Sequence, residues 1–225
     1  MIAGDIKKER PILFSAPMVR AILDGSKTQT RRIMKPQPTP SESCENDFWF
    51  PVHAVRSMVH VKKDQLPGCE GLMKSVSPYD CERLWVRETW RTNSIYDDDK
   101  PSLIPDSAPI EYLANTISGD MAGKIRPSIF MPRWASRINL EIVDVRVERL
   151  QDISDEDAKA EGIAPTPGRD IVDRWLVKNP KGSLSEYSST QYPVDAYKSL
   201  WQSINGSASW DSNPWVWVIE FRNDL

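Results

Sequence analysis

Three cysteines in 225 residues, an odd number at irregular spacing, give no disulfide framework. With only two histidines beside them, metal-ligand patterns are equally scarce. Cys44, His53, His60, Cys69 and Cys81 can be gathered on paper into a zinc site. No pair among them has the close spacing that structural zinc sites use, so no metal is expected. No stretch approaches the roughly 20 apolar residues of a membrane helix, and no membrane partner is expected. The opening segment MIAGDIKKERP has no apolar run, which sets the expectation of a reducing, cytoplasmic compartment. Positive charge is not in excess: Lys+Arg 29 stand against Asp+Glu 32, a net charge of -3. That excludes the global basic field of a non-specific duplex binder, so any nucleic-acid contact must be local. Internal repeats, heptads, GxGxxG and phosphate-loop motifs are also missing, and the dinucleotide and nucleoside-triphosphate folds lose support accordingly.

What is present is a hydrophobic fraction of 40%, enough for a packed core, and nine tryptophans. Core packing accounts for most tryptophans in such a chain, and base-stacking platforms are the alternative for the rest. In chain order, residues 1–10 read as a charged lead-in and Ile12–Ser15 as a short strand. Ala16–Asp24 reads as a helix capped by Ser15 and stopped by Gly25, and Thr30–Met34 as a five-residue strand ended by prolines. Leu84–Trp90 alternates, with Leu84, Val86 and Glu88 on one face and Trp85, Arg87 and Thr89 on the other. Ile138–Leu150 is the cleanest strand, and Ser154 with Asp157 opens a short helix that Gly162 ends. Val194–Ser203 carries Ala196, Tyr197, Leu200, Trp201 and Ile204 on one side of a helix. Pro214–Phe221 is apolar on both faces and so reads as a buried closing strand. A hairpin is expected around Phe48–Val61 and an amphipathic helix at Ile171–Val177.

Chemistry concentrates in Ala21–Lys35, where a glycine stop, Lys27, two threonines and the adjacent Arg31 and Arg32 crowd one corner. The end of the preceding helix favours a charged Lys27, whereas the two arginines oppose it. Glu161 falls on the last turn of its short helix, an unfavourable place for a carboxylate, which a functional role or a plain surface position would each explain. In RPSIFMPRWASR, Arg126, Arg133 and Arg137 surround Trp134. Such a loop suits a phosphate and a base, and a salt-bridged structural loop fits it equally.

The spacing Gly25-x-Lys27-x-x-Thr30-x-Arg32, after a strand and a short helix, resembles the signature of the ASCH domain, a PUA-like β-barrel related to RNA-binding modules. ERLWVRETW, INLEIVDVRVERL, DAKAEGI and WVIEF follow in the family's order. The whole chain resembles the longer ASCH proteins of tailed phages and prophages. The resemblance implies an α+β fold, a PUA-like (ASCH) mixed β-barrel with short flanking helices. It also implies a single domain over 1–225 with insertions at about 36–80, 97–125 and 164–192. The general ASCH pattern has glutamate where this chain has Thr30, and threonine there is similar to the small bacterial ASCH enzymes that deacetylate N(4)-acetylcytidine. By that resemblance Thr30 is the nucleophile, Lys27 its base and Glu161 the acid or water activator, with Arg32 and Arg133 holding an oxyanion or phosphate. No cofactor is implied. Arg31, Arg32, Trp85, Arg87, Glu88, Arg133 and Trp134 form the expected contact set for a modified nucleoside or RNA, with Glu88 the substitute carboxylate. A ribonuclease, a non-catalytic RNA or modified-base reader and, more distantly, a phage assembly role remain open, because a fold does not choose among them.

Overall fold

The computed structural model describes residues 8–40, 48–52, 57–61, 77–115, 123–163, 175–176, 189–190 and 192–223. The fold is mixed α+β, with a mainly sheet core and few helices. The chain divides into two compact units. One comprises Met1–Gly25, Cys81–Glu141 and Arg222–Leu225, the other Ser26–Asp80 and Ile142–Phe221. Among the described residues no helix is long and apolar enough to cross a membrane.

In the first unit, β1 (Glu9–Leu13) is followed by α1 (Ala16–Leu23). The strand begins earlier than the expected Ile12, so part of the charged lead-in belongs to the sheet. Ser15 has extended N-cap geometry but its side chain makes no cap bond, and Pro17 within the first turn presets the helical φ. Val19, Ala21 and Ile22 are buried from this helix, and Gly25 ends it at φ 79, where a side chain would be strained. The second unit opens just beyond, with β2 (Gln29–Ile33), β3 (Thr39–Pro40), β4 (Phe48–Val52) and β5 (Ser57–Val61). β4 and β5 pair antiparallel from Phe48↔Val61 to Val52↔Ser57, the expected hairpin, while His53 lies outside the described residues.

Back in the first unit, β6 (Arg83–Arg87) pairs parallel with β1, and β7 (Trp90–Arg91) pairs antiparallel with β8 (Glu111–Tyr112). Its core gathers Trp90, Ile104, Ala108, Met131 and Ala135. Ile104, Ala108 and β8 belong to the stretch read as an insertion, which is therefore packed structure: its apolar residues are too widely spaced to register as periodic. β9 (Asn139–Arg149) begins here, with Arg83↔Glu141 and Trp85↔Asn139 in antiparallel register.

The remainder of β9 belongs to the second unit. Its burial changes phase: Leu140, Ile142 and then Val145 are buried, while Val143 is 59% exposed. The strict alternation expected along Ile138–Leu150 slips by one residue there. α2 (Asp155–Ala160) follows, with Ser154 Oγ accepting the Asp157 N–H at 3.1 Å and Gly162 at φ 90 past its end. β10 (Trp175–Leu176) pairs with β11 (Ser189–Thr190), so the last part of the expected Ile171–Val177 helix is extended, and residues 171–174 and 177 lie outside the described ones. α3 (Pro193–Asn205) buries Pro193, Ala196, Tyr197 and Trp201, whereas Ile204, expected on the same face, sits exposed at its end. β12 (Trp215–Asn223) neighbours β9 and pairs antiparallel with β2, Val218 opposite Arg31 and Ile219 opposite Thr30. Val216 and Val218 meet Leu150, Ala158, Tyr197, Trp201 and Trp210 in this unit's core.

Candidate active site

The end of α2 and the start of β2 are tied by backbone. Thr28 N–H donates to the Ala160 carbonyl at 2.9 Å, and Lys27 and Glu161 form an antiparallel bridge. This brings together two residues 134 apart in sequence. The Lys27 side chain is 0% exposed. Its ammonium donates to the Gln29 carbonyl at 2.7 Å, the Glu161 carbonyl at 2.8 Å and Glu161 Oε2 at 2.7 Å, which accounts for all three ammonium protons. The bond to the Glu161 carbonyl explains how a carboxylate is tolerated at this helix end: the lysine neutralises the carboxylate and the C-terminal dipole together. Burial pushes the Lys27 pKa below its ordinary value, opposed by Glu161 and reinforced by the charges of Arg32 and Arg31.

Arg31 extends the cluster. Its Nη2 donates to Glu148 Oε2 and Asp157 Oδ2, each at 2.9 Å, and Nη1 lies 3.5 Å from Glu161 Oε1. Arg146 on β9 continues it, donating to Glu148, Glu220, Asp157 Oδ1 and the Gln29 side-chain oxygen. Burial alone would raise the Asp157 carboxyl, but Arg31 and Arg146 hold it below its ordinary value. Tyr197, buried under Glu161, has its hydroxyl pushed well up by burial and by that carboxylate, so it stays protonated. The cluster is not saturated. Arg31 Nε is buried without a hydrogen-bond partner, while the other polar atoms face one another, Tyr197 against the Glu161 carboxylate and the Gln29 amide against the Asp157 carboxylate.

Thr30 is buried, 3% exposed, three residues from Lys27. Strand alternation and register place it with Arg32, Trp217 and Ile219 on one face of β2, opposite to Gln29, Arg31, Val218 and Glu220. Lys27 and Glu161 therefore converge as expected, while Thr30 stands on the reverse face from Arg31. Arg31, expected to bind phosphate, is held by three carboxylates instead.

The other expected contact residues lie in the first unit. Glu88, 1% exposed, takes both arms of Arg137 at 2.9 and 3.0 Å, and Arg137 stacks 4.0 Å from the Tyr112 ring centroid. Arg133 donates to Glu9 and Asn139, and Arg126 to the Tyr96 and Asp99 carbonyls. Trp85 is buried with Arg87 4.6 Å from its ring centroid, and Trp134 packs edge-on against Trp90 at 6.1 Å. Of the residues considered for zinc, Cys81 is a buried free thiol, Cys44, His53 and Cys69 lie outside the described residues, and among the described residues no group of three ligands is assembled.

Sequence reasoning missed Gln29, Arg146, Glu148, Asp157, Tyr197 and Glu220. The available signal was Arg146 and Glu148, two residues apart on one strand and so on one face. No protein-family model matches the chain, and neither a curated protein nor a solved structure matches it.

Proposed function

We propose that the protein is an ASCH-type amide hydrolase, built on a PUA-like barrel, that removes the acyl group from a modified nucleoside such as N(4)-acetylcytidine. The observation that carries this reading is the Lys27 side chain, 0% exposed, bonded to the Glu161 carboxylate at 2.7 Å. Buried, perturbed ionisable pairs concentrate at proton-handling sites, and structural ion-pair networks hold them too. Thr30 Oγ attacks the acyl carbon and passes its proton to the Lys27 amine, whose neutral form burial favours and the Glu161 carboxylate opposes. The carbon–nitrogen bond then breaks as the leaving amine takes a proton from the Lys27 ammonium. Water, activated by Glu161, hydrolyses the threonyl ester and releases the carboxylate. Thr30 stands on the face of β2 opposite Gln29 and Arg31, so this reading requires the Lys27 side chain to leave its present partners and turn toward the Thr30 hydroxyl when substrate binds.

The RNA-cleaving and RNA-reading alternatives need a basic track for phosphates, for which Arg31, Arg32, Arg133 and Arg137 are the candidate cations. Three of these are engaged with carboxylates, which leaves little unspent charge for a phosphate backbone. The deciding experiment is mass-spectrometric detection of cytidine from N(4)-acetylcytidine. Thr30→Ala should lower turnover about a hundredfold or more, and Thr30→Ser should restore part of it. Full activity in Thr30→Ala would remove the nucleophile from the reading.

A further inference from the structure

For Lys27 to act as a base it must give up a proton and turn toward Thr30, and the buried Glu161 carboxylate then loses the cation bonded to it at 2.7 Å. A buried carboxylate without a cation is strongly disfavoured. The neutral lysine is therefore accessible only where another charge takes its place. The Tyr197 hydroxyl lies against the same carboxylate, but it is neutral and can share the oxygens without replacing the charge. Of the other ionisable groups around the pair, Arg146 on β9 is spent on Glu148, Asp157 and Glu220, and Arg32 stands on the reverse face of β2.

Arg31 is the cation in position. Its side chain is 0% exposed, and Nη2 is committed, bonded at 2.9 Å to both Glu148 Oε2 and Asp157 Oδ2. Those two carboxylates are gripped on their second oxygens by Arg146, so this arm of the fork is fixed. Nη1 is the other arm. It lies 3.5 Å from Glu161 Oε1, an ion pair too long for a good hydrogen bond, and makes no hydrogen bond of its own.

We infer that Arg31 is a positioning residue that takes over Glu161 when Lys27 is deprotonated: Nη1 closes on Oε1 while Nη2 stays with Glu148 and Asp157. No proton leaves the guanidinium, which only donates hydrogen bonds. The exchange keeps Glu161 ionised and in place for the water step, and it stabilises the neutral amine that the first step uses. It is partial, since one arm of Arg31 remains elsewhere and Lys27 stays the principal cation. Its purpose rests on the hydrolase reading, whereas the exchange of counter-ions is measured without turnover.

The test follows the Lys27 side chain by NMR in isotope-labelled protein, its resonance assigned by its absence from the matching Lys27→Met variant. Arg31→Lys keeps the charge and loses the fork, so the Lys27 titration should move up by about one pH unit or more, and the rising limb of the kcat/KM profile for N(4)-acetylcytidine should move with it. A through-space effect of charge alone would leave both where they are. Independently of any change at Arg31, a crystal structure of Lys27→Met should bring Nη1 to within about 3.0 Å of Glu161 Oε1. An unmoved Lys27 titration in Arg31→Lys, or the 3.5 Å separation retained in Lys27→Met, would overturn the assignment. A raised titration in Arg31→Lys with no hydrolysis by the wild type would sink the hydrolase reading and keep the exchange. Hydrolysis with the same pH profile in wild type and Arg31→Lys would do the reverse.

Discussion

Each unit buries a glutamate against arginine, and the two are built differently. Glu88 in the first unit receives a bidentate Arg137, whose guanidinium is also anchored to Asn115 and laid over Tyr112. Both of its oxygens are spent in the geometry that Arg and carboxylate favour. Glu161 in the second unit takes a lysine on one oxygen, its other oxygen sits 3.5 Å from Arg31, and the Tyr197 hydroxyl lies against the same carboxylate. A saturated pair fixes structure. A pair built on a fully buried lysine and shared among several partners depends on its whole network for its protonation state.

That contrast can be broken by mutation, beginning where most is at stake. Lys27→Met strips Glu161 of its principal cation and should cost about 3–5 kcal/mol in denaturant unfolding. Adding Glu161→Leu should recover much of that loss, since the isolated carboxylate and not the missing lysine is the main penalty. A second substitution that only adds further destabilisation would mean that the two do not act as a pair. In the first unit Glu88→Gln should cost about 2 kcal/mol, the scale of a charged hydrogen bond, because Arg137 is partly exposed and keeps water and Asn115. A larger loss than at Lys27 would reverse the ranking of the two clusters.

The pH dependence sharpens it further. The Asp157 carboxyl is held below its ordinary 3.8, so the unfolded chain binds its proton first. Its stabilisation is fully present above 3.8 and is lost as pH falls below it toward the folded value. Asp157→Asn should flatten that part of the acid limb of a stability curve. Lys27 gives the opposite limb. Its folded pKa is below 10.5, so over the interval up to 10.5 the unfolded chain holds more protons and stability rises with pH. Lys27→Met should abolish that rise, and an unchanged alkaline slope would count against a strained ammonium. The smallest effect is expected at Gly25, whose φ of 79 would cost alanine about 1 kcal/mol although nothing lies within 4 Å of the added carbon.

Much of this arrangement was legible because local chemistry and fold agree. Gly25 and Gly162 end helices where expected, Ser154 caps α2, and the apolar runs become β9 and β12. Lys27 and Glu161 were paired through a spacing and a short D-A-x-x-E-G-I pattern, which carry sequence information across 134 positions that periodicity alone does not. The partners of Arg31 were illegible for a physical reason. A guanidinium beside a predicted barrel mouth reads as a phosphate clamp until tertiary structure brings Glu148 and Asp157 to it. The phase slip at Val143 likewise depends on which neighbours the strand meets, and no alternation rule anticipates it. The Trp134 loop shows the same limit, since an aromatic between arginines looks the same whether it stacks on a base or packs edge-on against Trp90.

The most direct measurement is the release of cytidine from N(4)-acetylcytidine by wild type, Lys27→Met and Glu88→Gln, each first shown to be folded by circular dichroism. The account predicts turnover by wild type, a loss of about a hundredfold or more in Lys27→Met, and activity within a few-fold of wild type in Glu88→Gln. No turnover by the wild type, or a Lys27→Met variant as active as Glu88→Gln, would contradict it.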